Sequence, residues 1–256
     1  MKKVVLVVSI ILFAALLSIN VFAEGTNYSL DELDLSVNVP SDWITFTRDI
    51  YDSDPNLNLL GVTAYQLKEL YIQNHQYLDS ICIDPYCEIV VSMTDTSSEH
   101  KIFNYNDYRG SQLLDASIED LTDLNGMTFS DPTIYQNSQA TFIVYNCWQY
   151  NGTDKIYSRL YCTVYNGKSI NISLHSYTGA ITDSMLNTLK ATVDNSHFTR
   201  TLDNPYDIPT RNNEPVISFS RIMAEFVSKA IVVGILGGLI LLIRMLVKKN
   251  NKKQIK

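Results

Sequence analysis

The chain has 256 residues, 46% of them hydrophobic and 18% charged, with a net charge of −7 at neutral pH. That composition excludes a disordered polyelectrolyte and leaves room for one domain of ordinary size with a true core. Nine of the 20 Lys and Arg lie in residues 1–23 and 226–256, so residues 24–225 carry 11 against 27 acidic residues, or −16. Such a surface repels phosphate backbones and anionic headgroups, which argues against nucleic acid as a partner.

Lys2 and Lys3 precede an apolar run, Val4–Leu17, and Val21-Phe22-Ala23 then places small residues around a cleavage position. Residues 1–23 therefore read as a signal peptide, with an uncleaved first membrane helix as the alternative. Either one exports the segment after it. Next, Leu33–Val39 alternates apolar and polar residues, the period of a half-buried strand. Pro40-Ser41-Asp42 breaks it, Trp43–Thr47 is a second extended run, and Asp49–Asn58 is a loop.

A helical pattern covers Thr63–Leu78, with Leu67, Leu70, Tyr71 and Leu78 on one face. Glu88–Met93 is a strand rich in β-branched residues. A second helix is predicted near Ser111–Leu124, with Leu114, Ile118 and Leu121 as its apolar stripe. Between Ala140 and His175, Asn151-Gly152 and Asn166-Gly167 separate three extended runs, which predicts an antiparallel meander. In its last run Ile170, Ile172 and Leu174 point one way, and Ser169, Asn171, Ser173 and His175 the other. A third helix, Thr182–Asp194, uses Leu186, Leu189 and Val193 as its inner face.

Residues 200–220 carry Pro205, Pro209 and Pro215 among polar residues and read as a stalk. Ala230–Ile243 has no charged residue, and with its apolar flanks, Phe226–Val247, it is long enough for a bilayer core, which takes about 20 residues. Residues 221–247 are thus a predicted transmembrane helix, with Gly234 and Gly238 as a candidate helix-pairing face. The last nine residues, 248–256, hold five lysines and are expected to stay cytoplasmic. The expected layout is an exported domain over residues 24–199, a stalk, a single membrane pass and a basic tail.

The four cysteines, Cys82, Cys87, Cys147 and Cys162, all fall in the exported part, where disulfides form. Cys82 and Cys87 bracket an Asp-Pro turn that would set them opposite each other, and they are the preferred pair. The meander sets Cys147 opposite Ile156 with a two-residue loop or opposite Ser158 with a four-residue one. Neither register sets it opposite Cys162, so that pairing, free thiols and crossed bonds stay open. A zinc site would need tighter ligand spacing.

The order of elements carries a resemblance. A strand ending in Val39-Pro40-Ser41-Asp42-Trp43, alternating helices and strands, a tyrosine-rich meander and a last helix running into Val-Asp-Asn-Ser-His-Phe at residues 193–198 resemble the PsbP-like α/β/α sandwich. The resemblance covers about residues 28–199. It implies an α+β fold, an antiparallel β-sheet flanked by helices, and a non-enzymatic binding or accessory domain. The photosynthetic and nuclear-import partners of that family are not implied, because no functional motif of either matches.

Four histidines, His75, His100, His175 and His197, show no metal spacing and read as surface or strand-edge residues, and no hydrolase, nucleotide or zinc-protease motif is present. Aligning Gly126 with the turn position of an EF-hand puts Leu121 and Pro132 where carboxylates are required, so that reading fails. Asp115, Glu119 and Asp123 stack at helical spacing, as a solvated face or a cation-attracting one. Trp148, Tyr150, Tyr157 and Tyr161 share one face of the first hairpin, as core or as a ligand platform. No cofactor is expected. The expected function is a membrane-anchored extracytoplasmic binding or accessory protein, its partner an envelope protein or glycan. An envelope hydrolase using Asp115 or Glu119, or a sensor ectodomain, is the alternative.

Overall fold

The computed structural model describes residues 25–95, 102–118, 127–151 and 154–206. The expected signal peptide, most of the stalk, the membrane segment with Gly234 and Gly238, and the basic tail lie outside these residues. Among the described residues no helix is long and apolar enough to cross a membrane.

Two antiparallel sheets form the architecture. The smaller joins β1 (Gly25–Leu30), β2 (Leu35–Pro40) and β11 (His197–Phe198), with β2 in the middle. The larger has eight strands: β3 (Ile44–Thr47), β4 (Gln76–Cys82), β5 (Cys87–Asp95), β10 (Lys168–Ser176), β9 (Asp154–Tyr165) and β8 (Thr141–Asn151) lie side by side. Both β6 (Met127–Phe129) and β7 (Thr133–Gln136) then pair with β8. Four α-helices, α1 (Leu57–Leu60), α2 (Ala64–Gln73), α3 (Gly110–Ile118) and α4 (Asp183–Asn195), and two short 3₁₀ turns, Asp31–Leu33 and Tyr105–Asp107, complete the described elements.

The large sheet is covered on both faces. On one, Leu189 and Val193 of α4 pack with Val37 and Val39 of β2 and with Ile89, Val91, Ile170, Ile172 and Leu174. On the other there are two separate apolar clusters. Leu67 and Tyr71 of α2 join Phe46 and Ile81 over β3 and β4, and Leu113 of α3 joins Tyr145, Leu160 and Cys162 over β8 and β9. The fold is thus α+β, an antiparallel sheet with helices on both faces.

Local chemistry accounts for most boundaries. Thr63 Oγ1 accepts from the Gln66 amide at 3.2 Å, and Gln66 Oε1 accepts from the Thr63 amide at 3.0 Å, a reciprocal capping box that starts α2. The predicted helix stops earlier than Leu78, because His75 sits at φ 54° and turns the chain into β4. Thr182 caps α4 by accepting from the Met185 amide at 3.3 Å, and Met185 takes the buried place expected of Leu186. In α3, Leu113 is the buried residue and Leu114 is half-buried. The rest of that predicted helix, residues 119–124, lies outside the described residues.

The meander forms as β8, β9 and β10. Asn166 (φ 52°) and Gly167 (φ 73°) make a two-residue turn joining Tyr165 to Lys168. Cys147 falls opposite Ser158, the second of the two registers open from the sequence.

The first part of the predicted stalk belongs to the domain. Asn166 Nδ2 donates to the Arg200 carbonyl at 2.9 Å, and its Oδ1 accepts from the Leu202 amide at 3.1 Å. Asn204 Nδ2 donates to Asp107 Oδ2 at 2.9 Å. Asn166→Gly keeps the left-handed backbone and removes both side-chain bonds. We expect stability to fall by about 1–2 kcal/mol in denaturant melts and tryptic cleavage after Arg200 to speed up. Unchanged cleavage would show that Asn166 does not hold this segment.

Candidate functional site

Two groupings on the large sheet are chemically notable, one on each face. The first stands where β8 and β9 approach their hairpin. Trp148 lies directly opposite Tyr157, and Tyr150 opposite Lys155. Side chains two residues apart on a strand share a face, so Asn146, Trp148 and Tyr150 join Tyr157 and Arg159 there. α4 packs over β2 and β10, and this corner stays partly open. Tyr150 is 69% exposed, and Trp148, Tyr157, Lys155 and Arg159 are half-buried.

Lys155 Nζ sits 4.7 Å from the ring centres of both Trp148 and Tyr157 and 5.9 Å from that of Tyr150. A cation over aromatic faces is held by their quadrupoles. Arg159 Nη1 donates to Asn146 Oδ1 at 2.8 Å, and its guanidinium lies 5.6 Å from the centre of Tyr161. Among the described residues neither cation has a carboxylate partner. Tyr161 does not belong to the open surface: it is 3% exposed and packs edge-on against Phe142 and Tyr135 in the core. The set expected from sequence is thus corrected to Trp148, Tyr150 and Tyr157, with Lys155 and Arg159 added.

The second grouping is a buried polar row on the opposite face, between the two apolar clusters. Pairing aligns Glu88 with His175, His175 with Ser158 and Ser158 with Cys147 across four strands. His175 is fully buried, which corrects its reading as a surface or strand-edge residue. Its Nδ1 pairs with Ser158 Oγ at 2.8 Å and its Nε2 with Ser173 Oγ at 2.9 Å. Loss of hydration disfavours the imidazolium and lowers the His175 pKa to about 4. A Glu, a His and a Ser on neighbouring strands invite comparison with a hydrolase triad. Here, however, Glu88 Oε1 accepts from Tyr177 Oη at 2.5 Å, both imidazole nitrogens are occupied by serines, and the row is sealed from solvent.

The cysteines correct the disulfide expectation. Cys82 and Cys87 face each other in register, as the Asp-Pro turn implied, yet all four cysteines are free thiols. Cys82 Sγ donates to the Asp84 carbonyl at 3.6 Å. Burial pushes the thiols of Cys87 and Cys147 up to about 12, which suppresses the thiolate that disulfide exchange requires. Cys162 Sγ donates to Asn171 Oδ1 at 3.6 Å and lies opposite Ile143, away from Cys147. Among the described residues no group of three or more His, Cys, Asp or Glu could hold a metal. Asp115 is exposed on α3, while Glu119 and Asp123 lie outside the described residues.

No protein-family model matches this chain, and no curated protein matches it. Solved structures similar to it include the cyanobacterial PsbP protein (CyanoP) of Synechocystis sp. PCC 6803, at 12% identity and a TM-score of 0.38, over 71% of this chain and 95% of that one. A Bacteroides thetaiotaomicron VPI-5482 protein matches at 12% identity and 0.40, over 69% of this chain and 49% of its own. The chain therefore spans about half the length of that protein. A Pseudomonas aeruginosa protein of unknown function matches at 13% and 0.31, over 68% and 96%. At such TM-scores these likenesses carry no functional argument.

His175 gives the domain an acid limit. Its pKa is depressed on folding, so its contribution is present above about pH 6.5 and is lost as pH falls through about 4. The magnitude is about 3 kcal/mol. Denaturant melts across this range should show the loss in the native chain and a flatter profile in His175→Gln.

Proposed function

We propose that this chain is a non-catalytic binding protein of PsbP-like fold, displayed outside a cell membrane by a C-terminal anchor. Its ligand is an anionic carbohydrate held at the open corner of β8 and β9. The display rests on sequence: the Lys2-Lys3 n-region with its apolar run, the uncharged span Ala230–Ile243, and the lysines after it. The observation that carries the ligand class is the set Trp148, Tyr157, Lys155 and Arg159. Two cations without carboxylate partners among the described residues stand on one strand of a domain whose sequence is strongly acidic.

The arrangement supports that chemistry in three ways. The exposed Tyr150 ring and the half-buried Trp148 and Tyr157 rings offer flat apolar faces for the C–H faces of a sugar, a contact that needs no charge. Lys155, stacked over two of those rings, is pre-ordered, so less side-chain entropy is lost on binding. Arg159 uses Nη1 on Asn146 and keeps further N–H donors for a carboxylate. Positions 155 and 159 are four residues apart on the same strand, about 13 Å, a span that suits an oligosaccharide of a few units rather than a single small anion. A long polyanion would also meet the acidic remainder of the surface.

The test is calorimetric titration of the full chain with an oligogalacturonate and with a neutral oligosaccharide of equal length. The anionic sugar is expected to bind with salt-sensitive affinity. Trp148→Ala and the pair Lys155→Ala/Arg159→Ala should each weaken it at least tenfold, about 1.4 kcal/mol. Equal affinity for both sugars, or no heat with either, would overturn the ligand class. Preference for a single-stranded oligonucleotide would do the same.

A further inference from the structure

A carboxyl pair lies at one end of the buried polar row. Asp79 on β4 is opposite Val90, and Glu88 on β5 is opposite Ile81. The two acids are therefore diagonal neighbours on one face, about 7 Å apart. They are 4% and 1% exposed. Asp79 Oδ1 and Glu88 Oε2 have no hydrogen-bond partner, and neither has Tyr71 Oη, which α2 brings down over the same region.

The groups that face the pair supply no counter-charge. From α2 comes Tyr71, while Lys68 and Glu69 of that helix are partly exposed. Tyr86 comes from the β4–β5 turn, and His175 and Tyr177 from β10 and the residue after it. His175 is neutral and bonded to two serines. Beyond β3, Arg48 is committed elsewhere: it donates to the Gln76 carbonyl at 2.7 Å, to the Tyr71 carbonyl at 3.4 Å and to Glu32 at 2.9 Å. No cation among the described residues ion-pairs with either acid. Two desolvated like charges at this separation repel strongly, and the hydrogen bonds that Tyr177 gives Glu88 and Gln76 gives Asp79 bring no opposite charge. The pair must therefore retain a proton, and it titrates as a unit.

Two aromatic residues close the sheet end beside this site. Tyr86 and Tyr177 stack at 4.9 Å with a 34° tilt, and the Tyr177 amide donates to the Tyr86 carbonyl at 3.3 Å. Both belong to turns at the end of the sheet, and Tyr177 Oη is bonded to Glu88 itself. Neither Tyr86 nor Tyr177 lies within a strand, so displacing them would separate no strand pair.

We propose that Asp79 and Glu88 form a proton-binding latch: the protonated pair holds the Tyr86–Tyr177 cover closed over the sheet end, and loss of the proton above neutral pH opens it. Burial raises both carboxyls, Asp79 to about 7 despite a hydrogen bond from Gln76, and Glu88 is raised further still from its ordinary range by the neighbouring Asp79 charge, against the lowering effect of Tyr177. Because the folded-state pKa values are raised, the stabilisation is complete below the ordinary carboxylate range and is lost as pH rises through about 7.

The decisive measurement is a carboxyl-carbon NMR titration of the full chain from about pH 4 to about pH 9, paired with amide hydrogen exchange. At least one of the two carbons should titrate near or above neutrality. Exchange at residues 83–87 and 177–181, corrected for its intrinsic pH dependence, should rise at least tenfold over the same interval. Glu88→Gln and Asp79→Asn should each abolish that rise. Tyr177→Phe, which removes a hydroxyl stabilising the Glu88 anion, should move the titration upward. Both carbons titrating near pH 4, or exchange that stays flat while a carbon titrates, would overturn the latch. Should either amide variant fail to fold, the titration and exchange of the unaltered chain still decide it.

Discussion

Strand β10 must live without water on either side. Lys168 is half-buried, and every residue from Ser169 to Ser176 is buried. In an antiparallel sheet with one solvated face, alternate residues can be polar at no cost. Here both faces are clad, so Ser169, Asn171, Ser173 and His175 must find partners inside the protein. The serines answer His175, Cys162 answers the Asn171 Oδ1 while its Nδ2 has no partner, and Glu88 answers Tyr177. This requirement divides the apolar packing on that face into two clusters, one over β3 and β4 and one over β8 and β9. It also keeps the His175 imidazole uncharged at neutral pH and holds the Glu88 carboxyl above its ordinary range.

The sequence makes some of this plain and conceals the rest for identifiable reasons. β2 can be read residue by residue because Leu35, Val37 and Val39 are buried while their neighbours are only half-buried. The last turn of the meander is equally open, since Asn-Gly states its own backbone geometry. β4 is hidden. Six of its seven residues are buried, so alternation disappears, and Gln76, Asp79 and Ser80 interrupt any apolar run. The helical pattern therefore runs on through Leu78. A similar confusion affects His175. The alternation along β10 correctly sorts its residues to two faces, but period alone does not say that the polar face is also covered. Glu88, Ser158 and Cys147 in matching positions of neighbouring strands are the available signal, and they become informative only once the register is known.

At the surface, parity along β8 and β9 groups the aromatic residues, and it applies equally to Lys155 and Arg159. Attention to aromatic side chains alone passes over these cations. Tyr161 shares the same parity, although its neighbour Phe142 marks that part of the face as core. Face membership can thus be read from sequence, while depth beneath the covering helix cannot. In the cysteines the register is legible from the Asp-Pro turn, but the oxidation state is not, because it depends on how far burial suppresses the thiolate.

Asn166, finally, does more than end a strand. It grips residues 200–202 at the end of β9 remote from the aromatic corner. β9 runs from Asp154 to Tyr165, so those ends stand roughly 35 Å apart. On the membrane-displayed reading, a pull on the tether would enter the domain beside Asn166 and run lengthwise along the central strands. The aromatic corner would then be the distal tip, the part of the molecule best placed to meet whatever lies farther from the lipid. A load along the strands is shared by several ladder hydrogen bonds at once. Because the chain leaves from β11, an edge strand of the small sheet, the Asn166 bonds are what would pass that load on to the large one.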